Sequence, residues 1–329
     1  MNLEEVQARR LARARERQLR IRRRRRIAAL TAVGLVAVIA VAIAVASSGG
    51  GSPAKAGKVA LARHRARGHR AGGHARFHPG STVTGTPTGK PGTTPVPILM
   101  YHVIAPPPPG APFPGLYVPA PEFAAQMQAL KSAGWHPVTL DQLEAYWTKA
   151  VPLDPGKPIV RTFDNGYHSQ YANALPVLRQ LHGVADENIQ LTGLPPSQGG
   201  LTSGQIKALV SAGWELDTQG ISHADLVALS PSELQAQVAS ARQTIQREYG
   251  VPVNWFCYPS GHYNATVIAE VKAAGYKGST TVIPGWASPG SDPYRLPRLR
   301  VLGGTSPSAL LAQIASAQSA APPPPSYGS

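Results

Sequence analysis

Residues 157–181 read KPIVRTFDNGYHSQYANALPVLRQL, and the fold follows from how that stretch changes character at its middle. Ile159 to Phe163 is a short β-branched run that stops on Asp164-Asn165-Gly166. Beyond the stop, Tyr171, Leu175, Leu178 and Leu181 recur at helical spacing, so a strand gives way to an amphipathic helix. Residues 213–226, GWELDTQGISHADL, repeat the plan: a strand over Trp214 to Asp217, then a polar turn carrying Gln219 and His223 four apart. Polar groups at the C-terminal ends of buried strands are where α/β barrels keep their chemistry. Two strand ends thus deliver carboxylate, amide and imidazole groups toward one face. That is the layout of a hydrolytic metal site lacking part of its usual ligand set.

Working outward, strands and helices alternate. Strands are expected at Ile98 to Ile104, Pro137 to Leu140, Val253 to Tyr258, Tyr276 to Thr281 and Leu296 to Leu302. Helices are expected over Glu122 to Ala133, from Asp141, over Thr202 to Ala212 with a Thr cap, and over Pro231 to Tyr249. Two more fall near Ala265 to Ala274 and Pro307 to Ala317, and residues 319–329 read as a frayed, disordered tail. This alternation argues for parallel strands with helical crossovers, in a barrel or a doubly wound sheet.

The formal charge of +15 invites a nucleic-acid reading, but its distribution argues against one. Residues 1–97 hold 19 Lys/Arg against Glu4, Glu5 and Glu16, whereas the rest holds 13 Lys/Arg against 14 Asp/Glu. The globular part is therefore near neutral, with no basic face carrying interleaved aromatics. Residues 1–26 carry eleven Arg and read as a cytoplasmic tail. Residues 27–47 are uncharged and match the ~20 residues that cross a bilayer core. A signal anchor is the better reading there; a cleaved signal peptide is the rival, but its apolar region would run only about 7–15 residues. The excess of Arg before the span predicts an N-terminus inside and a C-terminal domain outside the cell membrane. Residues 48–97 read as a disordered linker, first basic with four His, then Thr/Pro-rich. The single Cys257 excludes an intramolecular disulfide and reads as a buried apolar filler.

A resemblance sharpens this picture. TFDNGY at 162–167 resembles the TFDDG motif of polysaccharide deacetylases (the NodB homology domain, carbohydrate esterase family four), and TQGISHADL at 218–226 resembles that family's SHTxSHxxL. With VPILMYHVI at 96–104, FCYPSGHYN at 256–264 and DPYRLPRLRV at 292–301, the likeness covers most of residues 96–302 in the family's order. It implies a distorted, incomplete (β/α) barrel over residues 98–318. It also implies a divalent metal, zinc, and an N-acetylated polysaccharide as ligand or substrate. Asp164 matches the family's general base, and His102 resembles the general acid that protonates the leaving amine. His223 matches the second metal-binding His, but Asn165 stands where the metal-binding Asp belongs and Gln219 where the first His belongs. Tyr258 and Pro259 match the groove wall that helps hold the acetyl oxygen; Arg295 and Arg298 match a segment along the groove's other side.

Blander readings accompany each residue. Asp164 could cap the following helix, His102 could be a core histidine bonded to backbone, and the two arginines could serve salt bridges. The family's apolar ATFF strand here reads ADENIQL at 185–191. Asp186, Glu187 and Asn188 cannot all be buried without partners, so the expectation is a strand shifted to start near Ile189, or an open side of the barrel. Amides in place of anionic and imidazole donors weaken a zinc site. Two functions follow: a polysaccharide-binding protein with impaired catalysis, or an active metal-dependent de-N-acetylase using Asp164 as base and His102 as acid.

Overall fold

The computed structural model describes residues 86–194 and 199–328. The tail at 1–26, the expected span at 27–47 and most of the linker lie outside the described residues. Among the described residues, no helix is long and apolar enough to cross a membrane.

Nine strands of the described residues form one sheet: β1 (Val96–Tyr101), β2 (Trp135–Val138), β3 (Lys157–Asn165), β4 (Asp186–Ile189), β5 (Glu215–Thr218), β6 (Trp255–Cys257), β7 (Gly278–Thr280), β8 (Trp286–Ala287) and β9 (Leu299–Arg300). The order is β7-β6-β5-β4-β3-β1-β8, with β2 beside β3 and β9 beside β1. All pairings are parallel except β1 with β8. The remaining gap is spanned by one segment: Leu296 bridges Thr280 at the end of β7, and Leu299 pairs with Leu99 of β1. The result is the curled, incompletely closed barrel that the family likeness implied, where the alternation alone left a doubly wound sheet equally open.

Among the described residues eight α-helices cover the outside: α1 (Ala120–Ser132), α2 (Leu140–Thr148), α3 (Leu175–Gln180), α4 (Ser203–Ser211), α5 (Pro231–Gln235), α6 (Ala241–Tyr249), α7 (Ala265–Ala273) and α8 (Pro307–Ser316). Their starts are written in the sequence. Thr139, Thr202 and Ser230 each close a reciprocal capping box with the Gln or Glu three residues on. The helix expected over Pro231 to Tyr249 is interrupted by a π-turn at Ala236–Ser240.

Strand alternation sorts the core. On β1, Val96 and Ile98 pack with Val138, Val160 and Trp255, while Leu99 and Tyr101 join the cluster beneath the helices. In that cluster Phe163 stacks on Trp214 at 5.0 Å and on Tyr101 at 5.6 Å. Aromatic pairs of this kind contribute about 0.5–1.5 kcal/mol beyond their buried area.

Two expectations are corrected. Strand β4 is not shifted: Asp186, Glu187 and Asn188 all lie in it and all are fully buried. Burial raises the Asp186 and Glu187 carboxyls well above the ordinary range, which favours their neutral forms, and Asn188 finds a carboxylate partner. Nor is the C-terminal tail frayed. Tyr327 exchanges two backbone hydrogen bonds with Tyr263, whose hydroxyl donates to the Pro324 carbonyl. Prolines cannot donate, but their carbonyls accept freely, so a Pro-rich tail can still dock.

Candidate functional site at the C-terminal ends of the strands

A cavity of about 500 Å3 opens at the C-terminal ends of the strands. Its polar groups come from successive neighbouring strands: His102 after β1, Asp164 and Asn165 closing β3, Gln190 after β4, Gln219 after β5. His223 and Tyr258 join them. Five described non-glycine residues have positive φ, and three of them, Asn165 (80°), His223 (54°) and Ser260 (56°), line this cavity. Asn tolerates that conformation better than most residues; backbone strain of this kind concentrates at functional sites.

Asp164 is the electrostatic centre. Arg298 grips it with both guanidinium nitrogens, Nη1 to Oδ1 at 2.7 Å and Nη2 to Oδ2 at 2.9 Å. Asn188 Nδ2 donates to Oδ1 at 2.9 Å, and the Cys257 thiol reaches Oδ2 at 3.5 Å. Burial alone would raise the carboxyl's pKa; the Arg298 charge, His102 and these hydrogen bonds outweigh it and hold Asp164 down at about 2. Asp164 is therefore no helix cap. It is a fixed anion whose two oxygens are both engaged.

Arg298 is equally committed. Besides Asp164 it donates to the Thr281 carbonyl, the Thr162 hydroxyl and the Cys257 sulfur. It lies beneath the cavity, not along its wall, which corrects the groove-lining role. Cys257 is buried as expected, but in this polar centre rather than in apolar surroundings, and burial pushes its thiol up. Arg295 is not at the site. It pairs with Asp292 at 2.8 Å and borders a separate cavity of about 680 Å3 beside the docked tail. Pro259 is buried and does not line the site cavity, whereas its neighbours Tyr258 and Ser260 do.

His102 Nε2 lies 3.9 Å from Asp164 Oδ2, and its Nδ1 is buried without a partner, so it is not a backbone-bonded core histidine. Burial is the main cause of its low pKa, about 4; Asp164 opposes it while Arg298, Arg300 and His223 reinforce it. Burial likewise lowers His223, with Asp164 opposing. Both rings are neutral near pH 7, so His102 carries no proton to give until one is delivered to it.

The donor set fits the implied metal poorly. Asn165 spends its Nδ2 on Gln190 Oε1 at 2.9 Å, and Gln219 offers only a neutral oxygen, Oε1, which is buried and unpartnered. The remaining donor is one imidazole, and the nearby carboxylate is neutralised by Arg298. Zinc sites use thiolate, imidazole or carboxylate donors, and two amides supply none of these.

Sequence reasoning missed Gln190, Asn188 and Arg300. The first two belong to the stretch that looked too polar for a strand. Arg300 is exposed and lines the cavity, whereas Arg298, two residues before it, is fully buried; strand alternation puts i and i+2 on one side, so the local pattern held no signal that separates the two.

Comparison with known proteins agrees with this architecture. Residues 153–279 match the family model for polysaccharide deacetylase. The Bacillus subtilis (strain 168) protein YxkH, which carries a provisional name as a polysaccharide deacetylase, is 32% identical over 222 residues, covering 67% of this chain and 76% of its own. Among solved structures, the Streptococcus pyogenes deacetylase PplD in complex with acetate superposes with a TM-score of 0.62 at 27% identity, over 68% of this chain and 99% of that one. A polysaccharide deacetylase from Bacillus cereus gives 0.59 at 26% identity, over 67% and 69%. The conserved architecture, the strand-end cavity and the match to YxkH together make this chain a member of the polysaccharide deacetylase family.

Proposed function

We propose that this protein binds an N-acetylated polysaccharide of the cell wall or exopolysaccharide in the strand-end cavity, and that its deacetylation chemistry is impaired. The observation that carries the reading is the donor set: Asn165 and Gln219 replace charged or imidazole ligands, and the one carboxylate beside them is clamped by Arg298. Without a strongly bound metal, no group lowers the pKa of an attacking water toward neutrality. Binding does not need that chemistry. The cavity keeps apolar and aromatic walls from Phe113, Leu116, Tyr117, Tyr167 and Tyr258, suited to the faces of sugar rings. Phe113 is 68% exposed at the rim, which leaves its ring face free to stack on a sugar. Residues 27–47 would anchor the chain in the cell membrane, with the domain outside.

A second reading, an active metal-dependent de-N-acetylase, is favoured by one observation: Asp164 and His102 have both kept their places in the cavity, 3.9 Å apart. The acetate found with the Streptococcus pyogenes relative is the product such an enzyme would release.

Titration calorimetry of the full chain with an N-acetylated chitooligosaccharide, alongside an acetate-release assay with added zinc, tests the choice. Binding without acetate release is expected, with Phe113→Ala weakening it about tenfold (~1.4 kcal/mol). Stoichiometric zinc with acetate release would establish the second reading instead.

A further inference from the structure

The barrel interior holds a second polar cluster, deeper than the cavity and nearer the N-terminal ends of the strands. Asp186 and Glu215 open β4 and β5, and Asp217 follows Glu215 on the same side of β5. All three are buried, and one oxygen from each can meet the others within 4.8 Å.

Their geometry is set by the backbone. The Leu140 N–H donates to Asp186 Oδ1 at 2.9 Å, the Asp141 N–H to Glu215 Oε2 at 3.1 Å, and the Trp255 N–H to Asp217 Oδ1 at 2.9 Å. Each acid is thus held by one oxygen, and the other is left over. Asp186 Oδ2, Glu215 Oε1 and Asp217 Oδ2 are buried and have no hydrogen-bond partner.

A fourth oxygen points the same way. Asn188 is fully buried, sits two residues along from Asp186 on the same side of β4, and lies opposite Asp217 in register. Its Nδ2 is turned to Asp164 on the β3 side. The two amide atoms diverge from Cγ, so Oδ1 is turned away from Asp164, and on a residue whose register partner is Asp217 it is also buried and unpartnered. Side-chain cations nearby are occupied elsewhere: Lys277 binds Asp141 at 2.7 Å and Glu144 at 3.4 Å, and Arg161 donates to the Val184 carbonyl and the Met127 sulfur.

We propose that Asp186, Glu215, Asp217 and the Asn188 carbonyl form a binding site for one hard divalent cation, Mg2+ or Ca2+, inside the barrel and separate from the glycan cavity. Four oxygen donors with no imidazole or thiolate suit a hard cation rather than zinc. Ligands on opposite sides of an ion at 2.0–2.6 Å stand at most about 5 Å apart, which the observed spacing satisfies. Occupancy would also satisfy four buried oxygens at once, and a buried polar atom left without a partner is destabilising. The ion would tie the starts of β4 and β5 to the start of α2 and to Trp255.

The full chain, purified and dialysed into metal-free buffer, should retain about one Mg2+ or Ca2+ per chain by plasma mass spectrometry. Its thermal midpoint should fall in EDTA and recover on adding Mg2+ or Ca2+ alone. Asp217→Asn and Glu215→Gln should each lose the ion and the EDTA response, whereas His223→Ala should keep both. A native chain that holds no metal and melts at the same temperature with EDTA, Mg2+ or Ca2+ would overturn the proposal, a result that needs no variant to fold. So would an ion lost on His223→Ala and kept in Asp217→Asn, since it would then belong to the cavity. Neither result bears on whether the cavity binds glycan.

Discussion

Asp164 and Asp217 are the same residue type, equally buried, on neighbouring parts of one barrel interior, and they stand in opposite states. Asp164 is driven down to about 2, while Asp217 is pushed well above the ordinary carboxyl range. Burial acts on both in the same direction, as the largest single cause. The difference lies in the neighbours: Asp217 faces the acids Asp186 and Asp141, which push it further up, whereas Asp164 faces Arg298, with His102 and Asn188 adding to its effect. Arg298 meets Asp164 through two hydrogen bonds, and no described side-chain cation makes a hydrogen bond or ion pair with Asp217. Burial decides how much a charge costs; the partner decides whether it exists. The barrel therefore carries a permanent anion beneath its cavity and, deeper down, acids that stay neutral unless a cation is supplied.

The sharpest way to break this contrast is to remove the guanidinium. Arg298→Met leaves Asp164 as an uncompensated buried charge and should cost about 3–5 kcal/mol in urea unfolding. Adding Asp164→Asn should recover part of the loss, because the pair is then replaced rather than halved. An Arg298→Met chain of native stability would mean that Asp164 was never ionised.

A weaker but cleaner probe is His102, which shares the cavity with Asp164. An unfolded His titrates near ~6.5, and the folded ring is held at about 4. Between those values the unfolded chain binds more protons, so stability due to the neutral ring is lost as pH falls from roughly 6.5 to 4. The loss is on the order of 3 kcal/mol. His102→Gln should lack that component of the pH dependence. If wild type and variant show the same slope over this range, the ring is not held neutral.

The smallest effect is expected at Glu187, another buried acid that burial raises. Its stability contribution is present below an unfolded value of ~4.3 and fades as pH rises. Glu187→Gln substitutes one neutral group for another, so it should change stability at pH 4 by less than about 1 kcal/mol and be stabilising at pH 7. A large loss at pH 4 would show that a specific contact of the acid, not its neutrality, keeps it inside.

Much of this was legible in the chain. The β-branched run ending at Asp164 and Asn165 placed β3 and its strand-end chemistry, and the turn with Gln219 and His223 placed the end of β5, because alternation and punctuation are local signals. Thr202 announced its helix in the same way. What escaped was non-local. Nothing near Asp164 in sequence indicates Arg298, 134 residues away, as its partner. The polar run 186–188 looked unfit for a buried strand because composition cannot show which acids will keep their protons. Arg295 and Arg298 looked alike in YRLPRLR, yet one pairs at the surface with Asp292 and the other lies fully inside.

The central claim is that amides at 165 and 219 have removed the metal chemistry while leaving the scaffold and its binding cavity. The most direct test is zinc-dependent acetate release from an N-acetylated chitooligosaccharide, measured for the native chain beside Asn165→Asp combined with Gln219→His. The account predicts no release by the native chain, and release by the double variant with zinc affinity raised about hundredfold or more, since even outer-shell changes shift metal affinity by ~10–100-fold. Zinc-dependent release by the native chain, abolished by Asp164→Asn, would contradict it.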